Sequence, residues 1–256
     1  MEQLFTSLLN HSSVRSFQEK KVPDSVKKNL VAAAQSGSSS NFVQAYSMIE
    51  IRDPKRLALI EDITNCPGYV ENAGVFYIFV ADLNRHAQLL AHYDQADKIE
   101  NLKTIESLTV AIVDTTIAAQ NMVNYAEAND LGICYIGGIR NDLFKIADLL
   151  DLPSYTFPLF GLSIGYPKNK NQVKKRLPAE EIASIDSYQA VNFDLLENYN
   201  QQTARYYAQR SSNQQQTDWS QKMLDYFRSP RRVDTITFLK RQGFIFTETS
   251  ENSPIE

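Results

Sequence analysis

Cysteine and histidine are scarce in this 256-residue chain, with two of the first and three of the second. Cys66 and Cys134 stand far apart in sequence, which excludes a cysteine-based zinc cluster, and two isolated thiols point to a reducing, cytoplasmic compartment. His11, His86 and His92 are too few for a histidine-rich metal site, so no metal is expected. His86 and His92 lie in a polar helical pattern and read as surface residues. Positive charge is not in surplus: 26 Lys and Arg stand against 30 Asp and Glu, for a net charge of −4, which argues against a nucleic-acid partner. Long apolar runs are also missing. The purest, "GVFYIFVA" at 74–81, is too short to span a bilayer but suits a buried strand. The opening residues have no basic, apolar leader pattern, so no secretory signal is expected.

Three familiar chemical motifs fail as well. Gly-x4-Gly-Lys-Ser/Thr and Gly-x-Gly-x-x-Gly do not occur, which excludes a P-loop and an ordinary dinucleotide-binding turn. Gly-x-Ser-x-Gly occurs as "GLSIG", 161–165, but "YPKNKNQ" follows it instead of a helix, so it is no nucleophile elbow.

What is present reads as an α+β chain with about four strands and many helices. Helices are expected at 3–10, 24–36, 53–63, 84–97, about 100–129, 141–150, 194–208 and 217–243. Asp24 or Ser25 would cap the second, Asp53 with Pro54 the third, and Asn141 the helix at 141–150. Asp114, Gln120, Asn121 and Asn124 interrupt the apolar run 108–128, which still reads as a core helix. Strands are expected at 45–51, 75–81 and 157–167, and 132–141 reads as a short strand running into a glycine turn. Helices separate them, so hairpins cannot dominate the sheet. After residue 168 the chain becomes basic and then more charged, an excursion expected to wrap a scaffold or a partner.

Four pieces suit an anion. The first is "HSSVR", with His11, Ser12, Ser13 and Arg15. The second is "SGSSSNF", 36–42, a small polar loop rich in hydroxyls and backbone N–H groups. The third is "YIGG", where Gly137 and Gly138 would let backbone approach a flat ligand. The fourth is "KKRLP", 174–178, a cationic loop.

Taken in order, these pieces resemble the oxygen-insensitive nitroreductase and NADPH-dependent flavin reductase group of the nitroreductase superfamily. The resemblance runs over nearly the whole chain: "HSSVRSF", "SSSNFVQ", "IFVADLNR" at 78–85, "VDTTIAAQNMVNYAEANDLGICYIGGIRN" at 113–141, "PLFGLSIGYP", "KKRLP" and "FLKRQGF" at 238–244. It implies a nitroreductase-like α+β fold with a central, mostly antiparallel sheet. It implies one domain over 1–256, whose part 168–256 wraps the partner of an intertwined homodimer. It implies bound FMN and NADPH or NADH as donor, with two-electron reduction of nitroaromatics, quinones or free flavin in a ping-pong cycle. Carried over, His11, Ser12, Ser13 and Arg15 would hold the phosphate and ribityl end, with Lys174 and Arg176 completing the clamp. Ser39, Ser40 and Asn41 would touch FMN from the serine loop, and Tyr135, Ile136, Gly137 and Gly138 would lie against the ring. The arginine fork suits phosphate because it bonds two oxygens at once. Phe42 would be either a stacking wall for the nicotinamide or acceptor, or a core aromatic. Arg210 belongs to the expected NADPH grip. Arg232, in "PRRVDT", would stand at the cofactor mouth or be a surface cation.

The chain departs from that pattern at three places. Ser12 replaces an arginine, and Pro67 falls where a flavin-binding glutamine is expected. Gln214, Gln215 and Gln216 follow "RSSN" where a pair of arginines would grip the 2′-phosphate of NADPH. Losing one charge-assisted contact costs roughly 1.5–3 kcal/mol, about ten- to a hundredfold in affinity, so a weakened NADPH preference is expected. The same site would also serve a supplier of reduced flavin to another enzyme, or a flavin-binding protein without turnover.

Overall fold

The run that is apolar without a break becomes the strand that is buried without a break. In the computed structural model, which describes residues 2–210 and 213–246 (side chains from residue 5 onward), Val75–Asp82 forms β2, with every residue but the last buried. It sits inside a four-stranded sheet of order β1-β2-β4-β3, where β1 is Tyr46–Glu50, β3 Gly132–Ile136 and β4 Thr156–Gly165. All three pairings are antiparallel. Register is set by matches such as Ile49 with Ile78, Tyr77 with Leu162 and Ile133 with Ile164, and a bulge falls between Phe79 and Val80.

Alternation along β2 sends side chains to two different cores. Val75, Tyr77 and Phe79 pack with Leu162 and Ile164 against Leu30 and Ala34 of α2 (Asp24–Gln35) and Ala118, Ala119 and Met122 of α5 (Ile105–Ala128). Phe76, Ile78 and Val80 pack with Cys134 and Ile136 against Leu57 and Ile60 of α3 (Pro54–Thr64) and Ile146 of α6 (Leu143–Leu149). The sheet is therefore covered on both faces, which is why β2 needs no polar side. A third cluster at the sheet end holds Phe157, Leu159, Phe238 and Phe244.

The chain divides into two compact units. Of the described residues, one contains 2–9, 13–169 and 232–246, and the other 10–12, 170–210 and 213–231. The first carries α1 (Glu2–Leu9), α4 (Asn84–His92), α9 (Thr235–Arg241) and the sheet. The second carries α7 (Phe193–Ala208) and α8 (Trp219–Tyr226), joined by a Tyr199–Trp219 ring contact and by Thr203 Oγ1 accepting Trp219 N–H at 3.1 Å. Among the described residues no helix is long and apolar enough to cross a membrane.

Several expected boundaries move, each for a local reason. The helix expected at 217–243 is two helices, because Pro230 lies between them and Arg232 has a left-handed φ of 53°. The helix expected at 84–97 stops at His92, with Asp94 left-handed at φ 55°, and a 3₁₀ segment, Ala96–Lys103, follows. Thr104 then caps α5 by accepting Ser107 N–H. Asp142, not Asn141, caps α6 by accepting Lys145 N–H at 3.0 Å. At α2 neither Asp24 nor Ser25 caps: Pro23 holds the cap position, and Asp24 pairs with Lys27 at 3.1 Å. Asp53 does cap α3, accepting from Lys55 and Arg56 N–H. His86 is half-buried, not a surface residue, and its Nε2 donates to Val43 O at 2.9 Å.

Candidate functional site

The segment after α1 runs along the free edge of β3. Val14 N–H donates to Ile133 O at 2.8 Å, and Phe17 bridges to Pro167. This alignment brings exposed Arg15 close enough to Cys134 for its charge to act on the thiol. Arg15 also lines a cavity of about 530 Å³ with Gln18, Gly68, Asn72 and Lys168. Lys168 is a second cation in that cavity, and its N–H is tied to Ser16 O at 2.9 Å. The cavity reaches Gly68, next to Pro67, the position where a flavin-binding glutamine is expected.

β3 ends in the 3₁₀ turn Gly137–Asn141. The two glycines have different reasons to be there. A Cβ at Gly138 would lie 2.5 Å from Thr64 O and 2.8 Å from Thr64 Cα, so this glycine is required by packing on α3. A Cβ at Gly137 would meet only Arg140 Nη2, at 3.6 Å, and otherwise open space. Of the pair, Gly137 is the one that leaves room for a ligand. Tyr135 is half-exposed and packs edge-on to Phe160 at 5.1 Å, with its hydroxyl 3.4 Å from Gln120 Oε1 on α5. Arg232 belongs to the same turn: its Nε and Nη2 donate to Asn141 Oδ1 at 3.3 and 3.2 Å.

The serine loop docks on α5 as well. Gly37 lies against Ile117 and Asn121, and Ser40 N–H donates to Asp114 Oδ1 at 2.9 Å. Asp114, Ile117 and Gln120 are spaced by three residues, so one face of α5 carries both the loop and Tyr135. Several of the loop's backbone donors are spent within the loop or on Asp114. Phe42, Val43 and Gln44 N–H go to Ser39 O, Ser40 O and Ser39 Oγ, and Ser40 and Ala45 N–H go to Asp114. What it presents outward are side chains. Phe42 is 80% exposed, which rules out the core-aromatic alternative.

Ser13 belongs to the first unit, and His11, Ser12, Lys174, Arg176 and Arg210 fall in the second. His11 and Ser12 cluster there with the segment that carries Lys174 and Arg176. Lys174 Nζ lies over the rings of Tyr207 and Tyr206, at 5.3 and 5.9 Å, and Tyr199 OH donates to Lys175 O at 3.0 Å. This aromatic face of α7 was not read from the sequence, although Tyr199, Tyr206 and Tyr207 recur at helical spacing. Half-buried Arg210 follows the same helix, and residues 211–212 of its motif lie outside the described residues. Gln215 N–H is bonded to Tyr207 O.

Burial pushes the Tyr135 phenol up from a value that already lies above the physiological range. Burial also pushes the Cys134 thiol up, with Arg15 only partly opposing it. Ser163 of "GLSIG" is buried and donates to Tyr69 O, so it is a packing residue. The donor set is two cations at one cavity, hydroxyls and an amide on a loop, and a glycine turn with open space above it. That chemistry fits a flat cofactor with a phosphate tail.

Residues 8–166 match the model of the nitroreductase family, and residues 174–247 match its C-terminal domain. A curated relative from Bacillus subtilis (strain 168), an FMN reductase (NADPH), is 36% identical over 95% of this chain and 99% of its own. The oxygen-insensitive NADPH nitroreductase of Salmonella typhimurium is 36% identical over 93% of this chain and 96% of its own. The solved structure of an NADPH:FMN oxidoreductase from Vibrio harveyi complexed with NAD+ superposes with a TM-score of 0.84 at 29% identity, covering 94% of this chain and 98% of that one. A two-faced antiparallel sheet, a glycine turn at its β3 end and a serine loop on α5 thus accompany a match that spans both family domains, and the chain belongs to the nitroreductase family.

Proposed function

We propose that this chain is an FMN-dependent NAD(P)H oxidoreductase that reduces nitroaromatics, quinones or free flavin by two electrons. The observation that carries the reading is the β3 edge, where the Val14–Ile133 hydrogen bond ties the segment of Arg15 to the strand that ends in the glycine turn. When bound, FMN supplies hydride uptake from a reduced nicotinamide and delivery of the electron pair to an acceptor. Arg15 would hold the phosphate through its two-pronged fork, with His11, Ser12, Ser13, Lys174 and Arg176 on the phosphate and ribityl end. Lys168 is added to that set from the shared cavity. Ser39, Ser40 and Asn41 would offer side-chain contacts, and Tyr135, Ile136 and Gly137 would back the ring. Gly138 would shape the turn through its packing on Thr64. Phe42 would cover the opposite face, stack on the nicotinamide or the acceptor, and keep water from it. Arg210 and Arg232 would face the donor or acceptor. No protein acid or base is assigned, because the hydride chemistry belongs to the flavin.

The same reading makes 1–256 one functional domain that works as a homodimer, residues 168–256 reaching the partner. The free thiols of Cys66 and Cys134 support a cytoplasmic setting. The test is the visible spectrum of the purified protein before and after anaerobic NADPH, then NADH. Flavin bands that bleach with either donor are the expected result. A colourless protein that gains no bands with added FMN would overturn the reading.

A further inference from the structure

The serine loop is held in a conformation that its own residues do not favour. Asn41, Phe42 and Gln44 have φ of 46°, 61° and 54°, the left-handed region that costs energy for every residue but glycine. For a bulky aromatic the cost is unusual, and burial does not repay it, because the Phe42 ring is 80% exposed. Something outside the loop must impose the shape. Asp114 does so. It is 1% exposed, in the middle of α5, and each of its carboxylate oxygens accepts one backbone N–H: Ser40 at 2.9 Å on Oδ1 and Ala45 at 3.1 Å on Oδ2. The two anchors bracket the three strained residues. His86 Nε2 holds Val43 O at 2.9 Å, and Arg85 Nη1 holds Gln44 O at 3.3 Å, so the bracket is braced on its carbonyl side. The sequence shows Asp114 only as a polar break in a core helix.

We propose that Asp114 is a positioning residue that fixes Phe42 as a stiff stacking platform and so sets the enzyme's affinity for its flat donor or acceptor. The proposal rests on the FMN reading above. In Asp114→Asn the amide can accept only one of the two N–H groups and presents its own N–H₂ to the other. The loop is then free to relax, and Phe42 leaves the left-handed region for part of the time. If the competent loop falls to about a tenth of the population, apparent KM for an aromatic acceptor such as a quinone rises about tenfold, with kcat nearly unchanged.

The test combines kinetics with a probe that needs no cofactor. Trp219 is the chain's sole tryptophan, so Phe42→Trp in a Trp219→Phe background places a single reporter on the loop. Adding Asp114→Asn should lower the steady-state anisotropy of that reporter and raise its acrylamide quenching in FMN-free protein. Unchanged anisotropy and quenching with unchanged KM, in a protein that still binds FMN, would overturn the proposal and leave the FMN reading intact. Absence of FMN binding in the parent would remove the reading itself. If Asp114→Asn does not fold, amide exchange in the parent decides: Ser40 and Ala45 N–H should be protected like core amides, and exchange at exposed-loop rates would overturn the proposal.

Discussion

At the scale of single residues, Gly137 and Gly138 look equivalent in the sequence and are opposite in the structure. The Gly138 position is filled by the backbone of Thr64, at 2.5 Å from a would-be Cβ, while the Gly137 position faces open space. Gly138→Ala must push α3 away from the turn and should cost about 1–3 kcal/mol of stability, the usual range for overpacking. Gly137→Ala should leave the melting temperature within about 1 °C, since a surface change away from packing lies within about 0.5 kcal/mol. It should weaken FMN binding about tenfold, because the new methyl group occupies the space above the turn. Melting curves and FMN titrations of the two variants separate packing from binding. Loss of stability in the first without the second, and loss of binding in the second without the first, is the expected pattern. Equal FMN affinity in Gly137→Ala and the parent would remove the turn from the cofactor site.

At the scale of elements, β2, β4, α3 and α5 were legible because a single physical signal dominates each. Unbroken apolar sequence gives a strand covered on both faces, and Asp53-Pro54 gives a capped helix start. The misplaced ends lie where two local signals compete. Asn141 and Asp142 can both cap, and Asn141 is drawn away to donate to Ile63 O at 3.2 Å and to hold Arg232. Pro230 divides a helical pattern whose two halves then pack in different units. In the site, Arg15 and the glycine turn were legible as motifs. Lys168, Asp114 and Glu61 were not, because their roles arise from contacts across the fold. Glu61 accepts N–H from Gly68 at 2.7 Å, Glu71 at 3.0 Å and Val70 at 3.1 Å, which ties the loop carrying Pro67 to the last turn of α3. Burial alone would raise this carboxyl, but the three backbone donors outweigh it and hold it below the ordinary range. Its folded pKa lies below its unfolded pKa, so its contribution to stability is present above the unfolded value and is lost as pH falls through the folded one. Glu61→Gln should therefore lower stability at neutral pH by about 1 kcal/mol, the difference between charged and neutral acceptors. The gap to the parent should close as pH drops below about 4, near the ordinary Glu value. Thermal melts of both proteins from neutral to acid pH check this, and a gap independent of pH would assign the loss to packing.

At the scale of the whole molecule, several large apolar side chains are left exposed on the single subunit. Ile182, Ile185, Tyr188 and Phe193 are 70, 83, 89 and 76% exposed, within a stretch of twelve residues. Phe5, Leu8 and Leu9 of α1 and Ile105 and Val113 of α5 are exposed as well. Exposed apolar side chains of this kind, where no described helix is long and apolar enough to cross a membrane, are what a protein partner would cover, and the homodimer proposed above provides one. A stable interface of standard size buries about 1,600 Å² in total, and a few large apolar anchors carry most of its free energy. Ile185 and Tyr188 have little to lose in a monomer, because each is more than four-fifths exposed there. Replacing both by serine should leave the subunit fold intact and weaken only association. In sedimentation equilibrium the parent should run at twice the 29.1 kDa chain mass at micromolar concentration. The Ile185→Ser, Tyr188→Ser variant should fall toward the single-chain mass on dilution. If the partner contributes to the FMN site, bound FMN should be lost over the same dilution range in which the dimer dissociates. A parent that sediments as a single chain at every concentration would leave the exposed stretch without its proposed cover and confine the FMN site to one subunit.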